Sequence, residues 1–585
     1  MLFSLNRCRK HALALNYALW LAASVFAAEP STAQTIGGGV TMGPYPDPIL
    51  IQQEATDETN FLYPVKGIVL NSVTHQPVAR ALVDSHEGAV LTDNDGNFEL
   101  SLPQGMVQIS VRRPGYGTRG RSSNHSVRVG PNMPSLTFSL TPEALITGQV
   151  TLSTSDPADG IRVMAYRRRV INGRSQWVME NTARTTSDGT FRIAGLQPGD
   201  YLIYTQPARD SDGPLARGAA VYGYPASYYP GVADISSAGV LTLAAGQRAE
   251  ADFILARQRF YHVTVTVPDR ENGGGLNLQV HDRNGRQMGA PVRWDDQQGM
   301  AEVNLPNGIY FIEGRKRGES QLYGRVDFTV AGAPVTGLTM SLTPLHAIPV
   351  TVRKIFTASS NGGQGGGLVT SDGISDNQAS PGLNLSLISV DEFFGSMGAM
   401  GGGLRPADGA NDGSSFEMEN VTPGRYWVEA SPFEGYVSSI SSGGVDLARE
   451  PLVIGAGGSS PPIEVTLRDD AGTISVELAG DSAGAVPATT AVGEQKQIYV
   501  YAIPLFESAG SIRMSGLQGP GQVAISGLAP GSYRVIAFDA PQEIDFHTPE
   551  GLAKYTGMGE TTTVEANGTS NVQLEVIHTF NPDAE

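Results

Sequence analysis

A short phrase, Leu/Val-x-Pro-Gly-x-Tyr, recurs along the chain and constrains its fold more than any other feature. It occurs at Leu196–Tyr201, Val421–Tyr426 and Leu528–Tyr533, and a looser form, Leu-Pro-x-Gly, occurs at Leu102–Gly105 and Leu305–Gly308. Self-similar phrases at wide spacing mark repeated structural units. Five copies therefore predict five similar modules. A turn followed by a strand is a structural element, so the phrase predicts how the chain folds and does not indicate an active site.

The residues around each phrase alternate between apolar and polar, as they do in β-strands. Phe191 and Ile193 precede one copy at alternate positions, and Tyr201 and Ile203 continue the pattern after it. Because successive side chains of a strand point to opposite faces, this alternation predicts one buried and one wet face. Such strands are typical of antiparallel sheets that pack face to face.

Alternating runs also open and close each module. The opening runs are Val65–Leu70, Ile146–Leu152, Tyr261–Val267, Ile348–Val352 and Thr473–Leu478. The closing runs are Leu136–Leu140, Ala251–Leu255, Leu338–Leu342, Ile463–Leu467 and Val572–Val576. A content of 71 Gly and 37 Pro agrees with many short strands joined by turns. The sequence thus predicts an all-β chain built as a tandem array of about five β-sandwiches.

The same landmarks predict the domain boundaries. We expect a signal peptide at residues 1–33, an extended leader at 34–61, and sandwiches at 62–142, 143–257, 258–346, 347–469 and 470–585. The fourth sandwich contains two Gly-rich segments, Ser359–Gly382 and Gly395–Gly413, which indicate long loops. One short helix is predicted in the fifth, where Thr548 can cap it, Pro549 suits its first position and Gly557 can end it.

The N-terminal residues have the pattern of an export signal. Arg7, Arg9 and Lys10 precede an apolar run from Ala12 to Ala28, and small residues follow. A retained membrane anchor is the alternative. The prediction is an exported protein, periplasmic, on the cell surface or extracellular, with no transmembrane span in the mature chain. The only cysteine, Cys8, lies inside the signal, so the mature chain would form no disulfide.

The first module resembles a known family. The residues that carry the resemblance are Val65–Val69, Gln76–Val83, Thr92–Phe98, Leu102–Gly105 and Arg113–Tyr116. Together they are similar to a bacterial carboxypeptidase regulatory-like domain, and the second module is similar to it as well. The resemblance implies immunoglobulin-like or transthyretin-like antiparallel β-sandwiches, CnaB-like and related to starch-binding domains. It also implies a non-catalytic role.

Two motifs suggest hydrolytic chemistry, and each lacks its context. Gly480–Gly484 places Ser482 in a G-x-S-x-G pattern, but the residues that follow are a poor start for the required helix. His547 and Glu550 have the spacing of zinc carboxypeptidase ligands, but the only later histidine is His578, near the end of the sequence. We therefore expect no enzyme, no catalytic residue, no cofactor and no metal site.

Three further patterns favour structural roles. Asp93–Asn97 resembles the start of a calcium loop but lacks the EF-hand positions of Gly and Glu, so a turn is the better interpretation. Some related surface sandwiches carry lysine–asparagine isopeptide cross-links, for which Lys66 is the one candidate; with only five lysines in the mature chain, we expect no general cross-linking. Arg167–Arg169 precedes the hairpin signal Asn172-Gly173 and reads as a solvated edge strand. With a net charge of −18, the chain is not expected to bind nucleic acid.

Four tyrosines, Tyr222, Tyr224, Tyr228 and Tyr229, lie within eight residues and form the candidate ligand-binding site. Aromatic rings with polar hydroxyls suit stacking against sugar rings. The alternative is that these rings cover the open end of the second sandwich, because aromatic residues most often serve burial.

The function predicted from these patterns is an exported, non-enzymatic binding or structural protein of the cell envelope. A polysaccharide or another surface polymer is the expected ligand, and adhesion the expected role. The alternative is a structural stalk or an envelope-assembly scaffold that binds protein partners through exposed sheet edges. A hydrolase is the remote alternative. The choice of ligand rests on analogy with the fold.

Overall fold

The structure, a computed structural model, describes most of the chain beyond residue 60. The described residues are 61–117, 124–210, 220–268, 275–316, 321–345, 347–356, 381–393, 403–407, 414–455, 460–478, 497–508, 510, 512–518 and 521–578. They belong to one compact unit, Asn60–Glu585. The predicted signal peptide, the leader up to residue 60, the Ser482 motif and most of both Gly-rich segments lie outside the described residues.

The first sandwich packs two four-stranded sheets around one core that contains Val65, Ile109 and Phe138. Its strands are β1 (Leu62–Asn71), β2 (Leu82–Ser85), β3 (Gly88–Leu91), β4 (Asn97–Pro103), β5 (Gly105–Arg112), β6 (Tyr116–Gly117), β7 (Asn124–Val129) and β8 (Leu136–Pro142). The sheets have the orders β4-β1-β8-β6 and β3-β2-β5-β7. The alternation predicted from sequence is confirmed here, because β4 buries every second residue.

The second sandwich has a separate core that contains Ile146, Tyr201 and Phe253. Strands between residues 144 and 255 are β9 (Ala144–Leu152), β10 (Arg162–Ile171), β11 (Arg174–Arg184), β12 (Thr190–Leu196), β13 (Gly199–Thr205), β14 (Ala208–Arg209), β15 (Val221–Tyr224), β16 (Ser227–Tyr228), β17 (Val240–Leu243), β18 (Arg248–Glu250) and β19 (Phe253–Leu255), with a single 3₁₀ turn at Ile235–Ser237. One sheet has the order β11-β10-β13-β16 with β17 beside β13, and the other has the order β12-β9-β18 with β19 beside β9.

The third sandwich includes two strands, β14 and β15, that precede its predicted boundary in the sequence. Its own strands are β20 (Gln258–Thr266), β21 (Leu276–Asp282), β22 (Arg293–Asp295), β23 (Met300–Leu305), β24 (Gly308–Lys316), β25 (Leu322–Val330), β26 (Val335–Thr339) and β27 (Thr343–Pro344). The sheet β14-β15-β20-β23-β22, with β26 beside β20, faces the sheet β21-β24-β25-β27. Because β15 pairs with β20, strand pairing crosses the boundary proposed between residues 257 and 258.

The fourth and fifth sandwiches complete the described chain, each with its own core. The fourth contains β28 (Ile348–Ile355), β29 (Leu383–Ser389), β30 (Leu404–Pro406), β31 (Ser415–Met418), β32 (Gly424–Pro432), β33 (Tyr436–Ser442), β34 (Val445–Asp446), β35 (Leu452–Ile454) and β36 (Ile463–Arg468). The fifth contains β37 (Gly472–Leu478), β38 (Gln497–Pro504), β39 (Arg513–Gln518), β40 (Gln522–Leu528), β41 (Gly531–Phe538), α1 (Pro549–Ala553), β42 (Glu560–Val564), β43 (Thr569–Leu574) and β44 (Val576–Ile577). The sheet orders are β30-β31-β28-β36-β33-β34 and β29-β32-β35 in the fourth, and β40-β37-β43 and β39-β38-β41-β42 in the fifth.

The opening strand of every sandwich pairs in parallel with its closing strand. These pairs are β1 with β8, β9 with β19, β20 with β26, β28 with β36, and β37 with β43. The sequence predicts antiparallel sheets, and the other neighbouring pairs in these sandwiches are largely antiparallel. Parallel neighbours run in the same direction, so the chain enters at one end of each sandwich and leaves at the other. This arrangement suits a tandem array.

The tyrosine of the repeated phrase closes its own turn. The Tyr201 hydroxyl donates a hydrogen bond of 2.6 Å to the Gln197 carbonyl, four residues earlier. Tyr310, Tyr426 and Tyr533 make the same bond, at 3.2, 3.0 and 2.8 Å, to carbonyls four residues earlier. Burial raises the pKa of all four phenols above their ordinary range, so the hydroxyl stays a donor. The phrase is therefore a buried turn lock in four of the five sandwiches.

The glycine of the phrase is required for two different reasons. Gly199 and Gly531 have φ values of 146° and 153°, which glycine adopts without steric cost. At Gly424, a Cβ would lie 3.0 Å from the hydroxyl oxygen of Tyr426, the tyrosine two residues later. A side chain there would displace the ring that locks the turn.

The chain folds back on itself at the β10–β11 hairpin. This hairpin belongs to the second sandwich, but its tip touches the fifth, where the Ser175 hydroxyl donates to Asp545 at 2.9 Å. Along its outer strand, the backbone N–H of Trp177 donates to the backbone carbonyl of Glu392 in the fourth sandwich at 2.9 Å. The second sandwich therefore contacts partners that are distant in sequence, and the sandwiches do not form a simple string.

Candidate functional site

The four tyrosines of the candidate ligand site are divided between two sheets. Tyr222 and Tyr224 lie on β15, in a sheet of the third sandwich, whereas Tyr228 lies on β16, in a sheet of the second. Tyr222 is 37% exposed, and the guanidinium carbon of Arg257 lies 4.3 Å from its ring centroid. Of the four rings only this one is exposed, and the Arg257 cation already lies near it.

The other three rings of the segment pack inward. Tyr224 and Tyr229 are half-buried against the core of the second sandwich, where Tyr229 lies 6.0 Å from Phe253 between ring centroids. Tyr228 is 1% exposed, and its ring lies 5.1 Å from Tyr204. The structure therefore does not bring the four residues together as one exposed platform. Their binding role stays a prediction, and it applies most directly to Tyr222.

A buried arginine lies against these rings. Arg286 of the third sandwich is 4% exposed, and its guanidinium carbon lies 3.4 Å from the Tyr204 centroid, 4.6 Å from Tyr228 and 5.7 Å from Phe393. Electron-rich ring faces attract a cation, and the attraction grows when water is excluded. Burial raises the pKa of the Tyr204 phenol well above its ordinary range, so the ring stays neutral beside the cation.

The Arg286 cluster joins three sandwiches. Tyr204 and Tyr228 come from the second, Arg286 from the third and Phe393 from the fourth. A single ion pair, from Nη2 of Arg286 to the Asp282 carboxylate at 2.7 Å, compensates the buried charge. The Nε and Nη1 atoms of Arg286 and the Tyr228 hydroxyl are buried without a partner in the described part of the chain. Such a buried cation depends on its one carboxylate and its rings.

Sequence reasoning missed Arg286 and could not have found it locally. Asp282 accepts backbone N–H bonds from Asn284 and Arg286, as the first residue of a turn does. The motif therefore reads as an ordinary hairpin turn. Only the tertiary structure brings the rings of Tyr204 and Phe393 to this position.

The β10–β11 hairpin forms a second junction, with the fourth and fifth sandwiches. Arg169 donates two bonds to the Glu543 carboxylate, at 3.0 and 2.7 Å. The side-chain amide of Gln176 donates to the Ser389 carbonyl at 3.0 Å. The hairpin at Asn172-Gly173 is confirmed. The prediction of a solvated edge strand for Arg167–Arg169 is wrong, because β10 lies between β11 and β13 in its sheet and Arg169 pairs with Glu543 of the fifth sandwich.

At the tip of the hairpin, Arg174, Trp427 and His547 line one small cavity between the second, fourth and fifth sandwiches. The Arg174 guanidinium carbon lies 3.5 Å from the Trp427 centroid, and burial lowers the pKa of Arg174 to about 10. Burial, and then the charge of Arg174, lower the pKa of His547 to about 4. His547 is therefore neutral at pH 7 and behaves as a structural residue of this junction.

The two histidines of the zinc-like pattern in the fifth sandwich have different neighbours. His547 packs against Phe546 at 4.0 Å between ring centroids, and His578 contacts Asp539 at 3.1 Å. Among the residues that the structure describes, no three His, Cys, Asp or Glu side chains are placed to hold a metal ion. The predicted start of the helix is confirmed, because the Thr548 hydroxyl accepts from the Gly551 N–H at 3.0 Å and Pro549 is the first residue of α1. The predicted end at Gly557 is wrong, because α1 ends at Ala553 with Lys554 as its C-cap.

The calcium-like acids and the isopeptide candidate also have structural partners. Asp93 accepts the backbone N–H groups of Asp95 and Asn97 at 2.9 and 2.7 Å, which are the bonds of a turn. These bonds hold the pKa of Asp93 below its ordinary value. Lys66 is exposed and lies 3.4 Å from the Glu99 carboxylate across β1 and β4. No helix within the described ranges is long and apolar enough to cross a membrane.

Comparison with known proteins identifies no family. No family model matches the chain, and no curated protein matches it. Among solved structures it is similar to the Bacillus anthracis TIE protein, at 14% identity over 48% of this chain and 51% of that chain, with a TM-score of 0.16. It is also similar to a streptococcal ancillary pilin, at 10% identity over 48% of this chain and 100% of that chain, with a TM-score of 0.17. The minor pilin of Streptococcus agalactiae matches at 12% identity over 35% of this chain and 97% of that chain, with a TM-score of 0.16.

The chain thus spans about half the length of the first of these proteins. Similarity at such TM-scores supports no conclusion about function. The resemblance to carboxypeptidase regulatory-like domains stays a prediction.

Proposed function

We propose that this chain is an exported, non-enzymatic binding and structural protein of the cell envelope. The proposal is supported by the position of the buried charged and aromatic side chains, which lie between sandwiches. At these junctions Arg286 contacts Tyr204, Arg174 contacts Trp427, and His547 lines a small cavity with Arg174. A scaffold that fixes several sandwiches relative to one another presents its outer surfaces in a constant arrangement. Preorganised surfaces bind with less loss of entropy.

A polysaccharide of the cell surface is the ligand class that we propose for this scaffold. Tyr222 offers a partly exposed ring beside the Arg257 guanidinium, a combination of flat apolar surface and polar donor that suits a sugar. Several weak contacts on one rigid body would add through effective concentration. Adhesion to a polymer needs no catalytic group.

Retention of the chain (residues 34–585) on immobilised polysaccharides tests this proposal. We expect retention on at least one polymer and weaker retention for Tyr222→Ala. Tyr63→Ala, a half-buried tyrosine of the first sandwich, is the matched control and should behave like the parent chain. Tyr228→Ala is a poor test because the ring is buried. No retention on any polymer would contradict the proposal, as would ester or peptide hydrolysis that disappears in Ser482→Ala.

A second candidate function is an envelope-assembly scaffold that binds protein through a sheet edge. The observation that favours it is β3, which is the last strand of its sheet and carries Leu91 at 50% exposure. In the same sheet, β5 lies beyond β2 and carries Met106 at 61% exposure. Unpaired edge strands accept a strand from a partner. Leu91→Lys should abolish capture of an envelope protein if this edge is the docking site, and unchanged capture would exclude it.

A further inference from the structure

The fifth sandwich carries a cavity on its outer face, beside α1. The segment that contains α1 covers part of the sheet β39-β38-β41-β42, and where the cover ends a cavity of about 250 Å³ remains. Ile503, Leu505 and Leu552 give it apolar walls. Pockets for drug-sized ligands measure roughly 300–1,000 Å³, so this cavity suits a ligand with a single ring.

Among the residues that the structure describes, Arg534 is the one cation that lines this cavity. Its Nη1 donates a hydrogen bond of 2.6 Å to the Tyr555 carbonyl, at the C-terminal side of α1, and this bond orients the guanidinium. Within the described chain that carbonyl is its one hydrogen-bond partner, and no carboxylate there forms an ion pair with it. A guanidinium keeps a fork of N–H donors that matches a carboxylate with two parallel bonds.

Hydroxyl groups line the sheet face next to Arg534. Tyr533 and Val535 point into the core, so Ser532 and Arg534 point outward. Across the ladder, Arg534 pairs with Thr561 and Ser532 with Thr563, which places both threonines on the same outer face. All three hydroxyl residues are exposed. Short hydroxyl side chains are suited to hydrogen bonds with the hydroxyls of a sugar.

The three features together select one ligand chemistry. The apolar patch, which includes Leu505 at 42% exposure, suits the carbon face of a sugar ring. The strip of hydroxyls suits the ring substituents, and the guanidinium suits a carboxylate. An aromatic acid would use the patch and the guanidinium but would leave the hydroxyls unused. Because the chain has a net charge of −18, most of its surface repels a polyanion. Arg534 has no acidic partner within the described chain, so a carboxylate of the ligand can bind there.

We propose that this cavity binds a carboxylate-bearing sugar unit, with the carboxylate on Arg534 and the ring against Leu505. This inference rests on the proposed function, because it names the class of polysaccharide and one place where the polymer is held. It lies apart from the tyrosine segment, so the two sites are tested by different variants.

Calorimetric titration of the chain (residues 34–585) with tri-galacturonate tests this site, and the neutral galactose trisaccharide is the comparison ligand. We expect tri-galacturonate to bind at least about tenfold more tightly than the neutral sugar, because a charge-assisted bidentate bond is lost with the carboxylate. Arg534→Gln should weaken binding at least about tenfold, and Arg534→Lys by less, because lysine keeps the charge without the fork. Arg192→Gln, which removes an exposed arginine from the second sandwich, is the matched control and should leave binding unchanged.

Leu505→Glu separates binding from folding. Leu505 is exposed, so the change is tolerated by the core, and the new carboxylate competes for Arg534. Tri-galacturonate binding should then be lost while thermal unfolding stays the same. Equal affinity for the acidic and neutral probes, or full affinity in Leu505→Glu, would overturn the inference. If the chain is retained by a neutral polysaccharide but ignores tri-galacturonate, this site fails and the proposed function stands. Failure to bind any polymer overturns both.

Discussion

Protonation of His547 should loosen the junction between the second, fourth and fifth sandwiches. His547 faces Arg174 and Phe546, and Glu429 lines the same small cavity. Burial and the Arg174 cation lower the pKa of His547 to about 4. A histidine whose folded pKa lies below its unfolded value binds a proton more weakly when folded. Acid therefore favours the unfolded state, and stability falls as the pH drops below the unfolded pKa.

The magnitude follows from the two pKa values. With a folded pKa of about 4 and an unfolded pKa of about 6.5, the group costs almost nothing at pH 7.5 and about 2 kcal/mol at pH 5. The full effect, about 3 kcal/mol, is reached below pH 4. Carboxylates also titrate in that lower range, so the window from pH 7.5 to 5 isolates the histidine.

Urea unfolding at pH 7.5 and pH 5, followed by the fluorescence of Trp427 and the other tryptophans, measures this effect. His547→Gln cannot be protonated, so its free energy of unfolding should fall by about 2 kcal/mol less than that of the parent chain over the same interval. His75→Gln, at an exposed position in the first sandwich, is the control and should follow the parent. If parent and His547→Gln lose stability equally, the junction does not bury this imidazole and the reasoning is refuted.

Three further predictions concern packing. Arg286→Met should lower the free energy of unfolding by about 3 kcal/mol, since it leaves Asp282 buried without its cation. The double variant with Asp282→Asn should recover part of this stability. If the losses of the two single variants simply add in the double variant, the two side chains do not act as an ion pair. Trp427→Leu should cost about 1–2 kcal/mol in urea unfolding, because it removes a desolvated cation–π contact; a neutral result would exclude that contact. Gly148→Ala should lower the thermal midpoint, because its Cβ would overlap a backbone carbonyl, whereas Gly130→Ala meets no atom within 4 Å and should be tolerated.

The sequence predicts the parts of the fold that local alternation specifies. Tyr201 and Tyr533 were expected to face the core, and they are 0% and 4% exposed. Their hydrogen bonds to the carbonyls four residues earlier were not foreseen, because the bond depends on how the turn brings the ring back over it. Alternation also cannot show strand direction, so the parallel pairing of β1 with β8 appeared only in the structure.

The junctions between sandwiches lay beyond sequence reasoning. Nothing in a turn motif indicates that Arg286 enters a cluster of rings from two other sandwiches. Tyr228 belongs to an aromatic cluster in the sequence, but such clustering does not distinguish an exposed ring from one that is packed beneath its neighbours. Arg534 carried no sequence signal either, because the cavity beside it forms only when α1 docks on the sheet.

The β10–β11 hairpin joins the second sandwich to the fifth, and we propose that this contact makes the array a fixed scaffold. Cysteines at positions 175 and 545, in a chain of residues 34–585 that lacks Cys8, test it directly, since the Ser175 hydroxyl and the Asp545 carboxylate lie 2.9 Å apart. Mild oxidation should yield a monomer, and mass spectrometry should find a disulfide between the peptide that contains position 175 and the peptide that contains position 545. The control chain carries cysteines at positions 175 and 63. The prediction is contradicted if the 175/545 chain behaves like this control, that is, if it stays reduced or forms disulfides only between molecules.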